Sequence, residues 1–298
     1  MEKKELADYK KAGKIAKEIK EYAKEIIKPE TPLNEIAEKI ELKTIELGGE
    51  VAFPVSLGID DIAAHYTPTL NDTTPATGLL KIDLGVHING FIADTAFTMD
   101  LTEKGEHKEI IKITQQALEN AINVIKKNKD KTQINQIGKA IHKTIIDKGF
   151  SPVRNLSGHS LGQGAVHAGI TIPNYNNGNE NQIGQGAFAI EPFATYGDGI
   201  IYEGAGSNIF SIAKQGKPRD PTARKILAWI IENKESLPFS SRELEREFGA
   251  RARIAIKRLL ETGIITEYTQ LIEKSHKPVT QQENTLIISK DKVEVTSD

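Results

Sequence analysis

Twenty residues, KIDLGVHINGFIADTAFTMD from Lys81 to Asp100, constrain this chain more than any other stretch. Two β-prone runs flank Asn89-Gly90, a dipeptide whose tolerance of positive φ suits a type I′ turn. With those two residues as the whole loop, Ile88 faces Phe91 and Gly85 faces Asp94. Side chains alternate along a strand, so one face collects Ile82, Leu84, Val86, Ile88, Phe91, Ala93, Thr95 and Phe97, a core face. The other collects Asp83, Gly85, His87, Ile92, Asp94 and Ala96. Asp83 lies diagonal to Asp94 on that face, roughly 7–8 Å away at the backbone. Two readings stay open for the pair: surface aspartates of a half-solvated hairpin, or carboxylates converging on a cation.

Composition narrows the function classes. At 298 residues the chain can bury the core of one large or two smaller domains. Lys and Arg number 39 against 41 Asp and Glu, so no overall field favours nucleic acid or an anionic membrane. Without cysteine there is no disulfide, thiolate metal site or cysteine nucleophile, which fits a reducing cytosol. The charged start MEKKELADYKKAG lacks the apolar stretch of a signal peptide, and no run is long enough to span a bilayer. A cytoplasmic protein with no membrane partner is expected.

Along the chain, Leu6, Tyr9, Ile15, Ile19, Tyr22, Ile26 and Ile27 outline an amphipathic helix over about 5–28. Thr31-Pro32 reads as an N-cap with proline at the first helical position, and Gly48-Gly49 as the stop. Strand and loop follow, with His65 ahead of a proline-bearing turn. After the hairpin come helices over about 106–127 and from a Thr132 cap to Gly149. This order predicts an α+β fold with helices on one face of an antiparallel sheet. In NLSGHSLGQGAVHAGITIPNY the glycines break any helix, so His159 and His167 sit on a strand end and a loop rather than as a helical metal pair. Glu191 interrupts an apolar strand at Pro192, and Glu283 opens another; glutamate is rarely buried unless paired or metal-bound. Residues of about 220–274 change character. Asp220-Pro221 caps a helix, Ser240 to Glu243 forms a capping box, and three helices precede a β-prone run, as in a winged helix. About ten basic and about nine acidic residues balance there, so no phosphate-binding stripe stands out; an insertion packed on the main domain is expected.

Asp83, Asp94, His159, Glu191 and Glu283 together make four carboxylates and one imidazole, each at a strand or strand end. Four carboxylates are balanced by two divalent cations, and oxygen-rich ligation with one His suits Mn, Fe(II), Co or Zn. Paired metals point to hydrolysis.

The stretches AFPVSLGIDDIAAHYTP, KIDLGVHINGFIADTAF, SGHSLGQGAVHAGITIPN, AIEPFAT and QQENTLI, in that order, resemble the signature blocks of type II methionine aminopeptidases over nearly the whole chain. The resemblance implies a pita-bread, pseudo-twofold fold with a curved antiparallel sheet. It implies a catalytic domain of residues 1–196 and 272–298 and a winged-helix-like insertion subdomain of residues 197–271. Asp83 would chelate one metal, Asp94 and Glu283 would bridge the pair, and His159 and Glu191 would hold the other. Glu191 would relay the proton of the attacking water. His65 and His167 match the two histidines that contact substrate, and Phe53 and Tyr268 the lining of the methionine pocket. The implied substrate is the N-terminal methionine of nascent peptides with a small second residue, the ribosome is a candidate partner, and a monomer is expected. An Xaa-Pro peptidase of the same fold is the alternative, but its last two glutamates lie close in sequence, whereas roughly ninety residues separate Glu191 from Glu283. Non-enzymic, nucleic-acid- or ribosome-binding homologues lack ligands that are all present here. The chain departs from the family in SLGQGAV, where a Tyr is usual, in Gln281-Gln282, where Gln-Phe is common, and in Asn284, where His is frequent. The absence of a long charged N-terminal extension resembles the compact archaeal form.

Overall fold

The computed structural model describes residues 1–298. The chain opens with α1 (Lys3–Ile26) and α2 (Leu33–Glu46), followed by β1 (Glu50–Ile59), β2 (Ile62–Ala64), β3 (Leu79–Ile88) and β4 (Phe91–Asp100). Next come α3 (Lys108–Asn128), α4 (Ile134–Ile146), β5 (Ser151–Pro152), β6 (Ser157–Leu161), β7 (Thr171–Pro173), β8 (Gly186–Ile190) and β9 (Phe193–Thr195). The remainder runs β10 (Ile201–Ile212), α5 (Pro221–Lys234), β11 (Phe239–Ser240), α6 (Ser241–Phe248), α7 (Arg251–Glu261), β12 (Ile265–Glu273), β13 (Val279–Gln281), β14 (Asn284–Ile288) and β15 (Val293–Val295).

The β3–β4 hairpin pairs in the register set by its turn: Ile88 with Phe91, Gly85 with Asp94 and Asp83 with Ala96. Asn89 and Gly90 take φ of +52° and +82°, as a type I′ turn requires. Ile82, Leu84, Val86, Ile88, Ala93 and Phe97 pack against α1 and α2, whose apolar residues recur every three or four positions. Each such Leu or Ile contributes about 1.5–3 kcal/mol on burial. Two helix starts differ from the sequence expectation. Thr31 does not cap α2, because its hydroxyl accepts from Lys28 N while Leu33 N donates to the Thr74 carbonyl; Pro32 takes the cap position. Thr132 likewise turns its hydroxyl back to the Lys129 carbonyl, and Gln133 precedes α4. In both places a neighbouring chain segment, bridged at Pro75 or Gln182, runs alongside the helix start.

The second half repeats the plan. Helices α3 and α4 cover Ile172, Phe188, Ile190, Leu286 and Ile288 on a sheet ordered β15-β14-β8-β6-β7. The halves meet where Ala96 and Glu283 exchange backbone hydrogen bonds of 3.4 and 2.9 Å, and where Asp94 N donates to Thr285 Oγ1 at 2.7 Å. This seam turns two sheets into one curved surface with helices behind it. Between β10 and β12, helices α5–α7 enclose a separate cluster that includes Ile226, Ile230, Leu244 and Leu259, closed by Phe210 and Phe239. Asp220 and Ser240 cap α5 and α6 through Ala223 N and Glu243 N. Strand β12 pairs with β10 on one side and, through Leu271 and Ile272, with β2 on the other, so these helices share a sheet with the main body. No helix is long and apolar enough to cross a membrane.

Candidate metal centre

Asp83 and Asp94 project from the concave face of the hairpin. Glu283 reaches the same place from the seam just before β14, His159 from β6, and Glu191 from the break between β8 and β9. Pro192 ends β8 there, which frees Glu191 from the alternation of the strand. The nearest trio is Asp94, His159 and Glu283, whose donor atoms lie within 4.8 Å of one another. His159 Nε2 stands 3.8 Å from Asp94 Oδ2 and 3.5 Å from Glu191 Oε1. Asp83 and Glu191 are tied by Gln281, whose Nε2 donates to Asp83 Oδ2 at 3.2 Å and to Glu191 Oε2 at 3.4 Å.

Asp94, His159 and Glu283 are buried and Asp83 and Glu191 half-buried, and the ionisation of the group reflects that. Burial pushes the Asp83 carboxyl up to about 7. Burial, then the neighbouring carboxylates, holds Asp94, Glu191 and Glu283 well above the usual carboxylate range. Burial, then the nearby His167, lowers His159 to about 3 and His65 to about 4, so both rings are neutral near pH 7. The contacts of His159 with carboxylates are therefore not ion pairs. Asp83 Oδ1, Asp94 Oδ1 and Glu283 Oε2 are buried without a hydrogen-bond donor. Each such atom costs about 1–3 kcal/mol if left unsatisfied. Unpartnered carboxylate oxygens, like charges brought together and one neutral imidazole are the donor set of a hard or borderline divalent cation. The residues fit a bound cation of that kind.

Around the carboxylates opens a cavity of about 550 Å³, lined by all nine residues singled out in the sequence. His65 takes φ +58° and turns its ring edge-on to Tyr268, with centroids 5.5 Å apart. The His167 ring lies 4.2 Å from that of His159. Phe53 closes one wall directly above Gly85, where a Cβ would come within 2.3 Å of its Cε1.

Two contributors carry no signal in the sequence. Gln281 is half of an unusual Gln-Gln pair, but no pattern marks it as the donor joining two carboxylates. Lys20, on the inner face of α1, donates to Thr95 Oγ1 at 3.2 Å and to Asn284 Oδ1 at 3.1 Å. Asn284, one of the family departures, thus serves as the acceptor for a buried ammonium behind Glu283. The glycine-rich departure also has a structural role: Gly164, at φ +64°, donates N–H to the Gly90 carbonyl and accepts from Ser236 Oγ. The hairpin tip, the loop before His167 and the α5–β11 connection meet there.

The profile of metallopeptidase family M24 matches residues 7–216. The chain belongs to this family. It is 40% identical to the methionine aminopeptidase of Pyrococcus horikoshii over 292 residues, 96% of this chain and 97% of that one. With the methionine aminopeptidase of Methanocaldococcus jannaschii it shares 39% identity over 98% of this chain and 99% of the relative. Among solved structures, a thermophilic Arx1 superposes with a TM-score of 0.82 at 16% identity, covering 99% of this chain and 91% of that one. The Thermotoga maritima methionine aminopeptidase superposes at 0.70 and 19% identity, covering 100% and 98%. The Pyrococcus furiosus prolidase does so at 0.60 and 17%, covering 100% of this chain and 64% of that one. These likenesses establish the pita-bread fold of an M24 metallopeptidase.

Proposed function

We propose that this chain, a metal-dependent aminopeptidase that removes N-terminal methionine, works with two divalent ions held by Asp83, Asp94, His159, Glu191 and Glu283. Its substrates are nascent peptides whose second residue is small, which places the reaction in the cytoplasm and makes the ribosome a candidate partner. The observation that carries this reading is the convergence of four carboxylates (Asp94 and Glu283 buried, Asp83 and Glu191 half-buried) and a neutral imidazole, drawn from both halves of the fold, on one cavity wall. Asp94 and Glu283, which meet at the seam, would hold the ions from the two halves of the fold. When bound, such an ion pair polarises the scissile carbonyl and brings the pKa of water down toward neutrality.

The remaining work falls to the chain's own groups. Glu191 takes a proton from the attacking water and delivers it to the departing amine. His65 and His167, whose pKa values burial lowers, donate N–H to the substrate carbonyl oxygen as it gains charge. Phe53 and Tyr268 flank the methionine side chain, whose thioether packs well against aromatic edges. Gly85→Ala tests that wall. The added Cβ, 2.3 Å from Phe53 Cε1, must push the ring into the pocket. KM for Met-Ala-Ser is then expected to rise at least about 10-fold; an unchanged KM removes Phe53 from the methionine pocket.

The decisive experiment is hydrolysis by metal-stripped protein before and after Mn(II), Co(II) or Fe(II) is added under reducing conditions. Met-Ala-Ser is expected to release methionine only after loading, while Met-Lys-Ser, Leu-Ala-Ser and Ala-Pro stay intact. Cleavage of Ala-Pro would move the chain to the Xaa-Pro peptidases. Folded protein that binds the ions yet cleaves nothing would sink the reading. Titration calorimetry that stopped at one ion per chain would sink its dinuclear part.

A further inference from the structure

Arg242 lies on α6, outside the cavity, and is fully buried at 0% exposure. Its Nη1 donates to Thr67 Oγ1 at 3.1 Å and to the Pro68 carbonyl, and its Nη2 donates to Glu41 Oε1 on α2. The same Glu41 oxygen accepts from Val55 N of β1 at 3.3 Å. A buried guanidinium is strongly unfavourable unless paired and hydrogen-bonded. Here the pairing joins three separate parts of the molecule: the helices between β10 and β12, the N-terminal helical layer and the turn after β2.

That turn carries His65. Its φ of +58° belongs to a region that costs a side-chain-bearing residue about 1–3 kcal/mol and persists only where the surroundings over-determine it. The surroundings do so. Tyr66 N donates to Ser56 Oγ at 3.2 Å, and the Tyr66 carbonyl accepts from Leu57 N at 2.7 Å. Thr67 N donates to the Ser207 carbonyl at 3.2 Å. These bonds fix the backbone of 66 and 67 against neighbouring strands. One guanidinium nitrogen of Arg242, Nη1, meets both the buried Thr67 hydroxyl and the Pro68 carbonyl while Nη2 meets Glu41, so a single planar group spans acceptors on two elements. Lysine, with a single point of charge, does not reproduce that geometry.

We propose that Arg242 is a positioning residue for His65: braced by Glu41, it clamps Thr67 and Pro68 and so holds the imidazole two residues earlier at the angle that meets the substrate carbonyl. The inference rests on the substrate-contacting role of His65 proposed above. It gives the helices between β10 and β12, none of whose residues line the cavity, a part in catalysis.

The test is a pair of double-mutant cycles on the full-length, Mn(II)-loaded chain, with Met-Ala-Ser as substrate. Arg242→Lys keeps the charge opposite Glu41 but loses the fork, and Thr67→Val keeps the shape but loses the hydroxyl acceptor. Each is expected to lower kcat about 10-fold, the scale on which a small misplacement of a reacting group acts. Mn(II) stoichiometry and affinity, read by calorimetry, should match the wild type. In a His65→Ala background both substitutions should have no further effect on kcat, because residues acting through one another are not additive. An equal drop in the His65→Ala background would overturn the positioning role, as a general structural defect is additive. Full kcat in folded Arg242→Lys and Thr67→Val would overturn it as well. Wild-type kcat in His65→Ala alone would overturn it through the reading of His65 itself, a failure that the metal and substrate panel would not share. Should Arg242→Lys not fold, the Thr67→Val cycle decides the same question.

Discussion

Asp94→Asn is expected to abolish methionine release while raising the melting temperature of the metal-free protein. The two effects have one origin. Asp94 sits in the tightest part of the carboxylate group, with one oxygen lacking a donor and its acid form favoured by burial and by Asp83. Without metal, the ionised side chain is a liability, and an isosteric amide removes it. The gain should be a few degrees, at about 2–4 °C per kcal/mol for a chain of this size class. With metal, a ligand is missing, and activity should fall beyond the roughly 10–100-fold that loss of a ligand's supporting partner costs. Calorimetric metal titration and thermal melts with and without Mn(II) check both halves. A lower melting temperature for the metal-free variant would mean that the carboxylates are satisfied by something other than a cation.

The pH dependence of the metal-free wild type follows from the same charges. The folded pKa of Asp83, about 7, lies above its unfolded value of about 3.9, so the folded chain holds an extra proton between them. The stability tied to that proton is fully present below the unfolded pKa and is lost as pH rises through about 7. His65 and His159 act in the opposite sense: their folded pKa values of about 4 and about 3 give stability that is present above about 6.5 and lost as pH falls. Between about pH 7.5 and pH 8.5 the histidines are largely neutral in both states; the raised carboxylates then favour lower pH, while Lys81 and Lys20, lowered by burial to about 7 and about 8, favour higher pH. The carboxylate share of the melting temperature, read as metal-free wild type minus metal-free Asp94→Asn, should therefore fall across that interval. Mn(II), which binds the ionised form, should flatten or reverse the slope.

Glu191→Gln is the second large effect. It keeps size and polarity but removes both the base and a carboxylate that would hold an ion, so kcat for Met-Ala-Ser is expected to drop at least about 10²-fold. His167→Ala should lose a comparable factor by taking an N–H away from the developing oxyanion. Near-normal turnover in both variants would leave the two residues without their assigned roles.

Much of this site could be read from one stretch of chain. Period-two alternation and the Asn89-Gly90 turn are local, so the register of β3 on β4 followed from short-range sterics, and with it the shared face of Asp83 and Asp94. Glu191 and Glu283 stood out because a carboxylate beside an apolar strand is expensive unless something claims it. Of the three helices between β10 and β12, α5 and α6 are announced by their caps Asp220 and Ser240, and α7 follows the Phe248-Gly249 turn. Local chemistry also misled: Thr31 and Thr132 have the side chains of caps, but adjoining segments bond to the chain at those helix starts.

What only the tertiary structure decided is everything that depends on segments far apart in sequence meeting. The seam at Ala96 and Glu283 brings two half-sites together, and no periodicity encodes which strands abut across it. Gln281 joins Asp83 to Glu191, Lys20 supports Asn284, and Arg242 links Glu41 to Thr67. In the sequence each of these is an ordinary polar residue. Their partners lie on other elements, and their roles arise because burial turns a polar group into one that must be paired.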